Sequence, residues 1–551
     1  MQDLLNNILA YSHDKPLLFT QVFFWCFFLL LLIGYAFVYK KGPLKIIYLL
    51  AFSLFFYFKT SGVFIVLLLF TICSDYLLAK LIHRFNQKRA ATFFLSLSVI
   101  INLTLLSYFK YAYFFVDSFN AITGAHMPFI NHFAIFSNHF FSSHFSVDKL
   151  ILPVGISFFT FQSLSYTIDI YRQKVQPVKS ITDYGFFVCF FPHLVAGPIV
   201  KAHDFIDQIY LPYQLSKKEF GIALFWILNG FIKKIVADYL AVNFIDRIFD
   251  NPNFYSGIET TFGIFAYSLQ IYMDFSGYTD MAIGLALILG YRLKKNFNSP
   301  YKATSTSEFW KRWHISLSSW LQEYLYIPLG GNRNGTIGSY LAIAILCAFL
   351  VLLAGKIWLI YVMLGLALIL IVLALLSSKI KKAINTNINL MVTMLLGGLW
   401  HGSSWLFIIW GGLNGLGLIV HKLWKKISPF NETENYGVKF LLMLVTLTFI
   451  SFTRIFFRSD SMEIVSGIFD RLLNHYAPEL FLQVLKSYPY VLALMALGYL
   501  IHWIPESAKE KYRTNFAQLP LWVMGIVTII VVFVMYQLMS GEMQPFIYFQ
   551  F

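Results

Sequence analysis

Charge is scarce in this chain. Asp, Glu, Lys and Arg make up 13% of its 551 residues, against about 25% in a typical soluble domain. A single aqueous core cannot hide the rest, because 58% of the residues are hydrophobic and 19% are aromatic. Cysteine is rarer still. Cys26, Cys73, Cys189 and Cys347 stand in apolar context without CxxC spacing, which argues against disulfides and metal ligands and reads as small core residues. The opening stretch MQDLLNNILAYSHDKP lacks a basic n-region, so no cleaved signal peptide is expected. An internal repeat of the kind that marks many secondary transporters is also missing.

What the chain has instead is long apolar runs. Residues 20–38, 357–376 and 521–539 match the roughly 20 residues that a bilayer crossing needs. Shorter runs around Phe52, Val99, Leu442 and Leu494 fit helices inside a bundle. The reading is an all-α polytopic membrane protein of about ten to thirteen spanning helices, with shorter re-entrant or interfacial pieces. Its net charge of +15 comes in short clusters between apolar runs. That is a topogenic pattern, not a nucleic-acid face. Lys40–Lys45, His83–Arg89, Tyr171–Lys179, His421–Lys426 and Lys509–Arg513 are placed in the cytoplasm, with both termini on the outer face.

Polar side chains within such a chain are functional candidates. PVGISFFTFQSLSYTIDIYR, Pro153 to Arg172, scatters Ser, Thr and Gln at helical spacing, as interhelical hydrogen bonding would require. In FFPHLVAGPIVK, His193 stands among helix breakers, either as a structural residue or at a cavity wall. From Ser268 to Arg333, an apolar helix carrying Gln270 and Asp274 gives way to a basic segment with Lys294, Lys295, Lys302, Lys311, Arg312 and Arg333. These cations are topogenic, or they dock a phosphate-bearing donor. Within that segment WKRWHISLSSW reads as one interfacial or re-entrant helix, with Trp310, Trp313 and Trp320 at the interface. Finally, GGLWHGSSW, Gly397 to Trp405, sets His401 in an apolar run. Its glycines suit close helix packing, whereas the imidazole suits either a hydrogen-bonded core position or a general base. His126, His132, His139 and His144 have irregular spacing and no accompanying carboxylate or Cys, so they read as solvated and no metal is expected.

Taken together, PVGISFFTFQSLSYTIDIYR, FFPHLVAGPI, MDFSGYTDMAIGLALILGYR, FWKRWHISLSSWLQEYLYIPLGGNR and LLGGLWHGSSW resemble the membrane-bound O-acyltransferase superfamily. The bacterial branch of alginate and peptidoglycan O-acetyltransferases and teichoic-acid D-alanyl transfer proteins is the one resembled. The resemblance implies a helical bundle around a central funnel or tunnel over residues 1–520, followed by a membrane helix and aromatic tail over 521–551. It implies a catalytic histidine at His401 and a second site position, Asn or His in the family, at His314. Lys311, Arg312, Arg333, Asp274 and His193 are the candidate donor-binding residues. The separation of His314 from His401 is longer than usual for this branch. The excess, residues 339–378, reads as an extra apolar hairpin.

The tail FIYFQF, Phe546 to Phe551, resembles the aromatic C-terminal motif of alginate-type members, which makes Tyr548 the candidate acyl carrier. The alternative is an interfacial aromatic belt. The resemblance implies an acyltransferase of the bacterial inner membrane, moving an acetyl or other short acyl group from a thioester donor. That donor is acetyl-CoA or an acyl-carrier protein, with no permanently bound cofactor. The acyl group passes through a periplasmic SGNH-type partner to an exopolysaccharide or cell-wall glycan, with membrane lipid as surroundings and no nucleic acid involved. A lipid or protein O-acyltransferase with a long-chain donor is the rival enzyme, and a small-metabolite permease the rival without catalysis.

Overall fold

A computed structural model describes residues 17–538 and Phe546, except residues 87, 142–145, 148–151, 196, 355 and 431–434. Among the described residues, every regular element is a helix. Three helices start on a reciprocal serine–carboxylate cap. The Ser180, Ser216 and Ser256 side chains accept the backbone N–H of Asp183, Glu219 and Glu259, whose carboxylates in turn accept the serine N–H. Each cap satisfies two of the donors that a helix start leaves open.

Among the described residues, six helices are long and apolar enough to cross a membrane: Gly42–Phe85, Arg89–Thr123, Lys217–Asp250, Trp358–Leu376, Trp405–Ile427 and Tyr436–Arg458. Two bent pairs, at 93° and 116°, raise the count to eight if each is one span, and Val22–Val38 and Ile337–Val351 are shorter apolar helices. The chain is therefore a multi-pass membrane protein. The count falls below the expected ten to thirteen or so because several central helices face protein, not lipid. Gly257–Ile288, an unbroken α-helix of 32 residues, is buried along most of its length and carries Asp274 and Asp280 inward. It lies outside the six.

Two close helix pairs organise the interior. A Cβ on Gly230 would lie 2.4 Å from the Gly277 carbonyl oxygen, and one on Gly284 would lie 2.5 Å from the Ala223 carbonyl. Lys217–Leu240 and Gly257–Ile288 thus meet backbone to backbone. Ser378–His401 and Trp405–Ile427 meet in the same way, since a Cβ on Gly398 would be 2.3 Å from the Phe407 carbonyl and one on Gly411 would be 2.4 Å from the Met394 carbonyl. Small residues permit this approach where dispersion and hydrogen bonding must hold helices together. The short turn after His401 joins the second pair.

The structure corrects three expectations. Cys26 and Cys73 are exposed instead of lying in the core; on membrane helices the lipid-facing side is as apolar as the packed side, so apolar context alone cannot separate them. WKRWHISLSSW is two short helices, Thr306–Arg312 and Ile315–Leu321, broken at His314 in the left-handed conformation (φ 43°, ψ 54°). Two of its tryptophans are buried. Trp313 lies under the Arg454 guanidinium at 4.4 Å, and Trp320 stacks on Phe161 at 3.7 Å while donating Nε1–H to the Phe161 carbonyl. The helices Ile337–Ala354 and Ile357–Leu376 sit at the edge of the bundle, and no residue of the apolar window in Trp358–Leu376 is buried.

Candidate active site

His401 is the last residue of Ser378–His401, so its backbone belongs to a helix end whose final carbonyls have no partner further along the helix. The next residue, Gly402, is extended (φ −159°), and the chain leaves without folding back to cap them. Donors arrive from a π turn, Ser107–Tyr111, almost 300 residues earlier. The Lys110 ammonium donates to the carbonyls of Trp400 (2.6 Å) and His401 (3.1 Å), and the Tyr111 hydroxyl donates to the Leu399 carbonyl (2.8 Å). Lys110 also reaches the Ser157 hydroxyl at 3.4 Å.

The His401 imidazole is 3% exposed and walled by aromatic rings. Trp400 and Trp410 stand edge-on at 5.0 Å, and Phe457 at 5.4 Å. His314, fully buried, lies with its ring centroid 6.1 Å away. The helix break at His314 brings the two rings together. Its loop is stitched to the preceding irregular segment: the Ile315 N–H donates to the Asn296 carbonyl, and the Ser316 N–H and hydroxyl both donate to the Asn296 side-chain oxygen. From the other side Arg454 donates to the Tyr301 hydroxyl at 2.6 Å and covers Trp313.

Space opens on several sides of His401. One small cavity of about 40 Å³ is bounded by Lys110, Pro153, Gly155, Ser157, Trp400 and His401. Another lies between His401, Trp313, Asn414 and Arg454. One residue further on, Gly402, Ser403 and Ser404 border a polar cavity of about 540 Å³ that shares the Phe457 wall. Asp274 lines that cavity, paired to Lys234 at 2.7 Å, and Arg458 across it pairs with Asp246 at 2.8 Å.

The other expected site residues lie elsewhere. Arg312 is paired with Glu308 and donates to the Asn298 carbonyl; Lys311 and Arg333 are exposed. His193 is fully buried among Phe190 and Phe205 and donates to the Phe187 carbonyl at 2.9 Å. None of the four lines either small cavity at His401. Tyr548 and His144 lie outside the described residues. Phe546 is described: it is 2% exposed, stacks on Tyr278 at 4.7 Å and meets Phe275 at 5.7 Å. Phe275 is itself edge-on to His314 at 4.6 Å.

A model of the membrane-bound O-acyltransferase family matches residues 8–368. The chain belongs to this family. Similar members include a protein named "Probable alginate O-acetylase AlgI" from Azotobacter vinelandii, 39% identical over 61% of this chain and 55% of its own length. A "Peptidoglycan O-acetyltransferase" from Helicobacter pylori is 34% identical over 84% of this chain and 80% of its own. A "Teichoic acid D-alanyltransferase" from Streptococcus thermophilus is more distant, at 24% identity over 53% and 62%. The chain thus spans little more than half the length of the alginate relative.

Sequence reasoning missed Lys110, Tyr111, Asn296 and Arg454. Lys110 carried a readable signal, a lone cation inside the apolar run NLTLLSYFKYAYFF, which in a membrane chain is itself a flag. A second cluster combines Asp169, His203 and Glu323, whose ligand atoms all lie within 4.8 Å of one another. Lys174 and Lys201 occupy the Glu323 oxygens, and the Tyr324 hydroxyl donates to Asp169. These ammonium groups make it an ion-pair knot and not a cation site. Partial burial works against ionisation of Glu323, but the two lysines outweigh it and hold its carboxyl down at about 2.

Proposed function

We propose that this protein is an O-acyltransferase of the bacterial inner membrane that moves an acetyl or other short acyl group outward for O-acetylation of a cell-envelope or secreted glycan. The reading rests above all on one observation: the two motif histidines, far apart in sequence, meet at 6.1 Å in a buried aromatic chamber. The names of the relatives, alginate O-acetylase and peptidoglycan O-acetyltransferase, support a glycan acceptor. The donor in this reading is a cytoplasmic thioester, acetyl-CoA or an acyl-carrier protein, and serves as a substrate.

His401 acts as general base. It takes the Tyr548 phenol proton as the phenol oxygen attacks the thioester carbonyl; the C–S bond breaks, and the departing thiolate takes the proton back from the imidazolium. His314 orients the thioester or polarises its carbonyl. A phenol's pKa near 10 lies close to a thiol's near 8.5, so the aryl ester stays activated for onward transfer to a serine of a periplasmic SGNH-type partner. Phe546 supports the carrier role. It is anchored one ring away from His314, and two further residues extend at most about 7 Å. The polar 540 Å³ cavity beside Gly402 suits the outward exit.

The test is incubation of purified protein with radiolabelled acetyl-CoA. Label on the C-terminal peptide of the parent, absent from His401→Ala and Tyr548→Phe, is the expected result. Label retained in Tyr548→Phe would move the carrier elsewhere, and label retained in His401→Ala would remove the general base.

A further inference from the structure

The strongest feature outside the motif histidines is the π turn that grips the end of the His401 helix. A helix end buried in the protein, as Trp400 and His401 are, must find donors for its last carbonyls within the fold. Here the carbonyls of Leu399, Trp400 and His401 are served by two consecutive side chains, Tyr111 and Lys110. The wide turn Ser107–Tyr111 aims both neighbours at one target, which an ordinary α-helical turn, with adjacent side chains about 100° apart, does not favour. π turns of this kind often mark functional places. Lys110 spends its three ammonium hydrogens on Trp400, His401 and Ser157, so none remains for a reacting atom. Its charge also sits at the negative end of the helix dipole.

We infer that Lys110 is the positioning residue of the site: by holding the Trp400 and His401 carbonyls it fixes the end of the helix and thereby the place of the His401 imidazole opposite His314. The inference rests on the acyltransferase reading. Lys110 tethers three carbonyl and hydroxyl groups on two other elements, the His401 helix and Ile156–Tyr171. Its removal loosens the element that carries the base. Tyr111 is the lesser clamp, because its single bond falls two residues earlier.

The experiment uses the full chain with radiolabelled acetyl-CoA, reading the single-turnover acylation rate and the half-saturating concentration separately. Lys110→Met is expected to lower the saturating rate on the order of a hundredfold, the scale of a roughly 1 Å misplacement of a reacting group, with half-saturation almost unchanged. Lys110→Arg, which keeps donors and charge, restores most of the rate. A purely structural lysine would lower Tm without separating rate from half-saturation. If Lys110→Met does not fold, Lys110→Gln and Tyr111→Phe carry the test, with a lowered rate at parental Tm supporting the inference. His401→Ala separates the two claims. Full acylation in His401→Ala sinks the acyltransferase chemistry assigned to that base. A dead His401→Ala alongside a parental rate in folded Lys110→Met, or in the Gln and Phe variants where Met does not fold, overturns the positioning role alone.

Discussion

His314 combines a buried imidazole with an unusual backbone, left-handed at φ 43° and ψ 54°. Among residues other than glycine, Asn, Asp and His are the ones enriched in that region. The backbone therefore limits what can occupy the position before any chemistry does. His314→Asn is expected to keep the parental Tm, whereas His314→Val is expected to cost about 1–3 kcal/mol from backbone strain on top of lost contacts; thermal unfolding in detergent reads both. Glu323 offers a pH test. Its carboxyl is held near 2, below the usual 4.5, by Lys174 and Lys201, so its contribution is present above about 4.5 and drains away as the pH falls toward 2. The Tm gap between the parent and Glu323→Gln should be widest near neutrality and close progressively below pH 5 or so.

At the scale of elements, the sequence made the glycines around His401 legible as packing residues, and Gly398 and Gly411 do form the tight crossing. Gly411→Val is expected to destabilise by about 1–3 kcal/mol through overpacking against the Met394 carbonyl, with acylation falling alongside Tm. The helical, multi-pass character was legible because bilayer chemistry writes itself into composition and run length. Less visible was the break at His314. Helix propensity in WKRWHISLSSW gives no warning of it, and the cause lies in Asn296, which captures the Ile315 and Ser316 donors from outside the segment. The tryptophans were misplaced for a related reason. An amphipathic ring suits an interface, but Trp313 found a guanidinium and Trp320 a carbonyl in the interior.

At the scale of the whole molecule, the hairpin of Ile337–Ala354 and Ile357–Leu376 lies at the bundle edge with its second helix open to lipid. Replacing residues 342–376 with a short flexible linker removes most of the first arm and all of the second together, so that the chain is expected to resume on the side it left. Expression, monodispersity and acylation are expected to stay within about a factor of two, since no described residue of that stretch is buried and exposed positions carry little of the stability; the contacts given up include the stacking of Phe349 on Trp405. Loss of acylation in a well-folded deletion would assign the hairpin a working role. The motif histidines could be read from the sequence, but the grip on His401 could not, because no local pattern tells a lone lysine which helix end it will meet.

That grip also sets a schedule. Lys110 and Trp400 are 290 positions apart, and at a synthesis rate of about 5–20 residues per second the later partner emerges roughly 15–60 s after the earlier one. Throughout that interval the early half of the chain already sits in the bilayer with an ammonium group awaiting its carbonyls. Completion of this site is therefore late, and a chain truncated before residue 400 holds a membrane-embedded cation without its intended carbonyls.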